Sequence, residues 1–127
     1  MAQQDYELET FLLKKLMEVY TRYDFLPIEE YLSEDITYDS FWIIAQIKGK
    51  AEFTEYMQSK LQALKNSQSK LVLKIMYDNN GRPHLVIVSP KDPKGGMCCF
   101  TLKTDENEKI SKVHLTPTAF YGLKSDD

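Results

Sequence analysis

Ile36-Thr37-Tyr38-Asp39-Ser40-Phe41-Trp42-Ile43-Ile44-Ala45-Gln46-Ile47-Lys48-Gly49-Lys50-Ala51-Glu52-Phe53-Thr54-Glu55-Tyr56-Met57 is the stretch in which the chain changes its hydrophobic period. Ile36, Tyr38, Ser40 and Trp42 alternate with Thr37, Asp39 and Phe41, the period of two of a strand. Ile43 to Ile47 is β-branched and runs to Gly49, so two short strands with a bend near Ser40 to Trp42 are expected. After Gly49, a tolerable N-cap, Phe53, Tyr56, Met57, Leu61 and Leu64 recur at helical spacing, which predicts a long helix from Lys50 to about Asn66. A strand pair leading straight into a long helix is an α+β signature.

Upstream, Leu12, Leu16, Val19 and Tyr23, widened by Leu13, Met17 and Tyr20, predict a helix from about Asp5 to Arg22. Asp24-Phe25-Leu26-Pro27 breaks it, and Pro27 opens a short helix through Ile28 to Leu32 that Ser33-Glu34-Asp35 ends. Downstream, four strands are expected: Leu71 to Tyr77, His84 to Val88, Met97 to Lys103 and Ile110 to Leu115. Asn79-Asn80-Gly81, Pro90 to Gly96, and Asp105 to Glu108 separate them. The expected fold is therefore α+β: a mixed sheet of about six strands around two long helices and one short helix, in a single domain over residues 1–127.

The composition excludes several classes of function. Apolar residues are 43 % and charged residues 28 % of 127, which is ordinary globular usage. The net charge is −3 and no basic cluster stands out, so neither nucleic acid nor an anionic membrane surface is an expected partner. No apolar run approaches the roughly 18 residues of a membrane span. Met1 to Asp5 lacks the basic and apolar regions of a signal peptide. Cys98 and Cys99 are adjacent and point to opposite faces of a strand, so free thiols in a reducing cytoplasm are expected. His84 and His114, the two histidines, lack Asp or Glu at ligand spacing, so no metal or other cofactor is expected. Lys91 to Gly96 lacks the phosphate-loop pattern and opens no helix.

The order helix, short helix, two strands, long helix and four-strand meander resembles the nuclear-transport-factor-2-like superfamily, which includes ketosteroid isomerases and SnoaL-like cyclases. The residues that carry the resemblance are Tyr31-Leu32-Ser33-Glu34-Asp35-Ile36-Thr37-Tyr38-Asp39-Ser40, Trp42, Lys48-Gly49-Lys50, Phe53 and Tyr56-Met57. The resemblance implies a curved sheet wrapped into a cone whose mouth is often a ligand pocket. It says little of function, because this fold carries many activities. Aligned without gaps on Asp35 and Gly49, the base of a ketosteroid-isomerase-like site falls on Ser40 and its first-helix tyrosine on Leu16. No inward position of the late strands carries Asp or Glu.

Lys74, Lys103 and Lys112 mark the wet face of their strands, which turns Leu73, Ile75, Tyr77, Phe100, Leu102, Val113 and Leu115 inward with Tyr38 and Ser40, and Asp39 outward. Tyr20, Tyr38, Ser40, Trp42, Tyr56, Tyr77 and Phe100 are the candidate ligand-binding residues. Their rings serve equally as core filling or as the wall of a pocket for a small apolar or aromatic compound. The leading functional expectation is such a binding or interaction module, without catalysis. The alternative is an isomerase or dehydratase using Asp39 with tyrosine donors. On the outer face, His84, Val86, Val88, Met97, Cys99 and Thr101 make an apolar centre rimmed by lysines, the pattern of a homodimer interface.

Overall fold

The computed structural model describes residues 6–41, 43, 45–68, 70–88, 98–118 and 122–124. Its elements follow the expected order: α1 (Glu7–Arg22), α2 (Leu26–Glu29), β1 (Leu32–Ser40), β2 (Ile47–Lys48), α3 (Lys50–Ser67), β3 (Val72–Tyr77), β4 (Pro83–Val88), β5 (Cys98–Thr104) and β6 (Ile110–Pro117). The six strands form one curved mixed sheet in the order β2-β1-β6-β5-β4-β3. The β1–β6 pair is parallel and the other pairs are antiparallel. Among the described residues no helix is long and apolar enough to cross a membrane.

Three boundaries differ from expectation. The short helix is a single turn that ends at Glu29, and Leu32, expected in it, is the first residue of β1. At its opening the Asp24 carboxylate accepts from the Leu26 N–H at 3.1 Å. The second strand is confined to Ile47 and Lys48, opposite Tyr38 and Thr37. The expected loop Pro90 to Gly96 and the start of the third late strand at Met97 lie outside the described residues, as does Trp42.

α1 packs on β3, β4 and β5, while α3 lies across β1 and β2. Between helices and sheet, Leu12, Leu16, Val19, Phe53, Met57 and Leu61 meet Ile36, Leu85, Phe100, Leu102, Val113 and Leu115, all buried. Each such side chain stabilises the fold by about 1.5–3 kcal/mol over leaving it in water. The register in β1 is decisive. The irregularity in its pairing with β6 falls between Leu32 and Thr37, upstream of the rungs Tyr38–Val113 and Ser40–Leu115. Tyr38 and Ser40 therefore keep the inward face, and Asp39 pairs outward against His114.

Both late turns are built the same way. Asp78 Oδ1 accepts from the N–H groups of Asn80 and Arg82, and Asp105 Oδ1 from those of Asn107 and Lys109. Each carboxylate replaces backbone partners that a tight turn leaves unpaired. Arg82 then ties α1 to the sheet, with Nε 3.0 Å from Glu9 Oε1 and Nη2 2.7 Å from the Leu102 carbonyl.

Of the outer-face residues expected at a homodimer interface, His84, Val86 and Cys99 are each at most 1 % exposed within the single chain, and Val88 and Thr101 are half-buried. Met97 lies outside the described residues.

Gly49 enters α3 with φ 93° and ψ 148°, a conformation reserved almost wholly for glycine, and its N–H donates to the Ile36 carbonyl at 2.7 Å. Gly49→Ala is expected to cost about 1–3 kcal/mol in chemical denaturation from backbone strain alone, since nothing stands within 4 Å of the added Cβ. Gly122→Ala, at a position without that strain, is expected to stay within about 0.5 kcal/mol of the parent.

Candidate ligand site in the cone

The inward stripe of α3 places Phe53, Tyr56 and Lys60 three and four residues apart, so their side chains stack along one face. Phe53 meets Tyr38 of β1 at 5.6 Å between ring centroids, and Tyr56 meets the same ring at 5.3 Å. From the last turns of α1, Tyr20 lies on Phe100 of β5 at 5.7 Å. Lys60 joins the two groups: its Nζ is 5.9 Å from the Tyr20 ring, 5.9 Å from Tyr56 and 6.0 Å from Phe100. Tyr20, Tyr38 and Phe100 are buried, while Ser40, Tyr56, Lys60 and Cys98 are half-buried. The rings of Tyr20, Tyr38 and Phe100 are thus closed to solvent, while solvent reaches part of Ser40, Tyr56, Lys60 and Cys98.

Its polar groups are poorly matched. The phenol oxygens of Tyr20 and Tyr38 are buried and make no hydrogen bond. The Tyr38 phenol lies beside the Tyr56 phenol and the Ser40 hydroxyl, near enough to perturb its ionisation, but in neither case at hydrogen-bonding geometry. Burial, then the neighbouring Tyr56, holds the Tyr38 phenol far above the usual tyrosine range. Burial does the same to Tyr20, reinforced by Tyr38, Tyr56 and Cys98. Both are neutral donors at any physiological pH. Lys60 has its ammonium destabilised by burial, opposed weakly by Cys98. The Cys98 thiol is raised by burial, so it stays protonated. No carboxylate among the described residues pairs with Lys60. Ring contacts near 6 Å are at the limit of cation–π reach and offset only part of the desolvation cost.

Five of the seven expected residues, Tyr20, Tyr38, Ser40, Tyr56 and Phe100, therefore come together. Tyr77 does not: it lies on β3, with β6, β5 and β4 between it and β1, and bonds through its backbone to Lys124. Trp42 lies outside the described residues. Asp39 stands on the other face, its Oδ1 accepting from Gln46 Nε2 at 2.8 Å and its Oδ2 3.4 Å from Lys112 Nζ. This removes it from the phenols that the isomerase alternative needs. Lys60 was not among the expected residues. Its signal was its position four residues after Tyr56 and seven after Phe53, where a charged residue interrupts an apolar stripe.

A second constellation lies on the outer face. His84 Nε2 is 3.0 Å from Asp78 Oδ2, and Nδ1 is 3.6 Å from Cys99 Sγ, which is 3.7 Å from Thr116 Oγ1. The order carboxylate, imidazole, thiol is that of a nucleophilic triad. However, His84 and Cys99 are both 0 % exposed, and burial pushes the Cys99 thiol up to about 11. That sulfur is closed to solvent, and the network ties the turn after β3 to β4, β5 and β6. Among the described residues no group of His, Cys, Asp and Glu is arranged to hold a metal.

Solved structures share this architecture. A SnoaL-like protein of unknown function from Burkholderia thailandensis superposes with a TM-score of 0.67 at 11 % identity, covering 95 % of this chain and 99 % of its own. An NTF2-like protein of unknown function from Mesorhizobium loti gives 0.66 at 8 % identity over 98 % of both chains. The chain has the nuclear-transport-factor-2-like cone fold. A de novo designed protein with a curved β-sheet also matches, at a TM-score of 0.60 and 12 % identity, over 88 % of this chain and 86 % of its own. No family model and no curated protein sequence matches.

Burial sets Lys60's folded pKa below its unfolded value. Between the two, the unfolded chain holds a proton that the folded chain lacks, so stability rises with pH across that window. Below the window the full cost of the buried charge is present. Lys60→Met is accordingly expected to melt above the parent at pH 7, by about 4 °C for each kcal/mol of relieved desolvation. The gap is expected to narrow as pH rises toward that of an ordinary lysine. A gap independent of pH would contradict the buried-charge assignment.

Proposed function

We propose that this protein binds a small, flat, largely apolar molecule that carries a carbonyl or carboxylate oxygen, held inside the cone. The observation that carries the reading is a pair of buried phenols without a hydrogen-bond partner, Tyr20 and Tyr38, in the same aromatic cluster as a lysine with no counter-ion among the described residues, its Nζ 5.9 Å from the Tyr20 ring. An unmade hydrogen bond on a buried group costs about 1–3 kcal/mol, and such groups persist in folded proteins where a ligand or water completes them. An acceptor oxygen beside these phenols would complete a hydrogen bond that the fold leaves unmade. The faces of Phe53, Tyr56 and Phe100 would take the apolar body, as aromatic walls with a few placed polar groups do in ligand sites.

The absence of a carboxylate neighbour among the described residues favours an acceptor ligand over a donor. A bound carboxylate would also restore the charged form of Lys60. The isomerase-type alternative has its proposed base, Asp39, on the opposite face of the sheet, engaged with Gln46 and Lys112.

Benzoate and naphthoate titrated into labelled protein are expected to shift the NMR resonances of Ser40, Tyr56, Lys60 and Cys98 together. Tyr20→Phe and Tyr38→Phe are each expected to weaken binding by about tenfold, the value of one charge-assisted or buried hydrogen bond. Titrations that leave these resonances in place, or phenylalanine variants that bind as the parent does, would overturn the reading.

A further inference from the structure

We infer that Lys60 is a covalent capture point for carbonyl compounds: its amine forms a Schiff base with an aromatic aldehyde seated in the cone. The inference rests on the ligand site proposed above and goes beyond it, from binding to bond formation.

Four features of the geometry support it. Lys60 Nζ stands among three rings, Tyr20, Tyr56 and Phe100, each 5.9 or 6.0 Å away, which shed water from the nitrogen. No carboxylate among the described residues holds it as an ammonium. Other lysines differ: Lys112 Nζ is 3.4 Å from Asp39, and Lys109 Nζ donates to the Glu30 carbonyl at 2.7 Å. Lys60 is half-buried on a rim that solvent reaches, so an aldehyde can approach while the floor stays closed. Finally, Tyr20 and Tyr38 supply buried phenol donors with no partner of their own. A desolvated lysine beside aromatic surface is the setting in which an amine is nucleophilic near neutral pH, and burial moves Lys60 in that direction.

The steps balance without a further reagent. The Lys60 lone pair attacks the carbonyl carbon, the C–N bond forms, and the carbonyl π electrons move to oxygen. One nitrogen proton passes to that oxygen, which leaves a neutral carbinolamine. A solvent or buffer acid protonates the hydroxyl, water leaves, and the nitrogen lone pair closes the C=N bond. The iminium proton then passes back to the conjugate base of that acid. The net change is amine plus aldehyde to imine plus water. Cys98 does not compete as a thiolate, because burial keeps its proton in place. The flat faces of Tyr56 and Phe100 suit an aryl group in preference to a branched aliphatic one.

The test is reductive trapping with benzaldehyde and cyanoborohydride at pH 7, read by peptide mapping, with exposed Lys14 and Lys103 as internal references. Lys60 is expected to be alkylated clearly faster than either reference, since a desolvated amine holds more free base at pH 7 than a solvated one. Added benzoate is expected to slow Lys60 and leave the references unchanged. Lys60→Arg is expected to lose the fast adduct while Lys14 and Lys103 react as they do in the parent. If benzoate shifts the rim resonances but Lys60 reacts no faster than Lys14 and Lys103, covalent capture is overturned and the binding site stands. If neither occurs, both readings fall.

Discussion

The register of β1 against β6 is the constraint on which the rest of the structure depends. Side chains alternate along a strand, so a slip of one residue would send Tyr38 and Ser40 to the outer face and Asp39 into the core. A buried, unpaired carboxylate is among the most costly single changes a small domain can suffer. The chain places its pairing irregularity before Thr37, where it bends the strand without altering the faces of Tyr38, Asp39 and Ser40. Everything inside the cone follows from that register. Tyr38 meets Phe53 and Tyr56 because β1 lies under α3, and α3 lies there because Gly49 turns the chain directly off β2.

Within that frame the interior divides into two kinds of surface. Toward the closed side, Leu12, Leu16, Val19, Leu85 and Leu102 pack as an ordinary apolar core. Toward the rim, aromatic rings carry polar groups that the chain leaves unsatisfied. A core under selection for stability alone would fill that region with leucine and valine. Retaining an uncompensated lysine and two phenols there lowers stability, and such costs concentrate at functional sites. The outer-face Asp78–His84–Cys99–Thr116 network is the contrast case. There each polar group has a partner, and solvent reaches neither the imidazole nor the thiol.

Much of the fold was legible because its signals are local. The helical stripe of α3, the alternation in β1 and the turn at Asn79-Asn80-Gly81 each need only neighbouring residues to be read. The inward faces were legible for the same reason, since one lysine per strand marks the wet side. The site was legible in part. Tyr20, Tyr38, Ser40, Tyr56 and Phe100 follow from those faces, but Tyr77 shares their face without sharing their place, because strand order is a property of the whole sheet. Lys60 escaped because a lysine on a helix is ordinarily solvated, and only the curvature of the sheet over α3 encloses it. The outer face escaped for a similar reason: side-chain alternation tells which face His84 and Cys99 occupy, and burial of that face depends on tertiary structure.

The central claim is that Lys60 lies desolvated and unpaired inside the cone. Site-resolved NMR titration of the lysine ε-carbons in the unliganded protein tests it most directly, because each amine reports its own ionisation. The account predicts that Lys60 titrates below the ordinary lysine range. Titration of Lys60 within or above that range would show a solvated or paired amine and contradict the account.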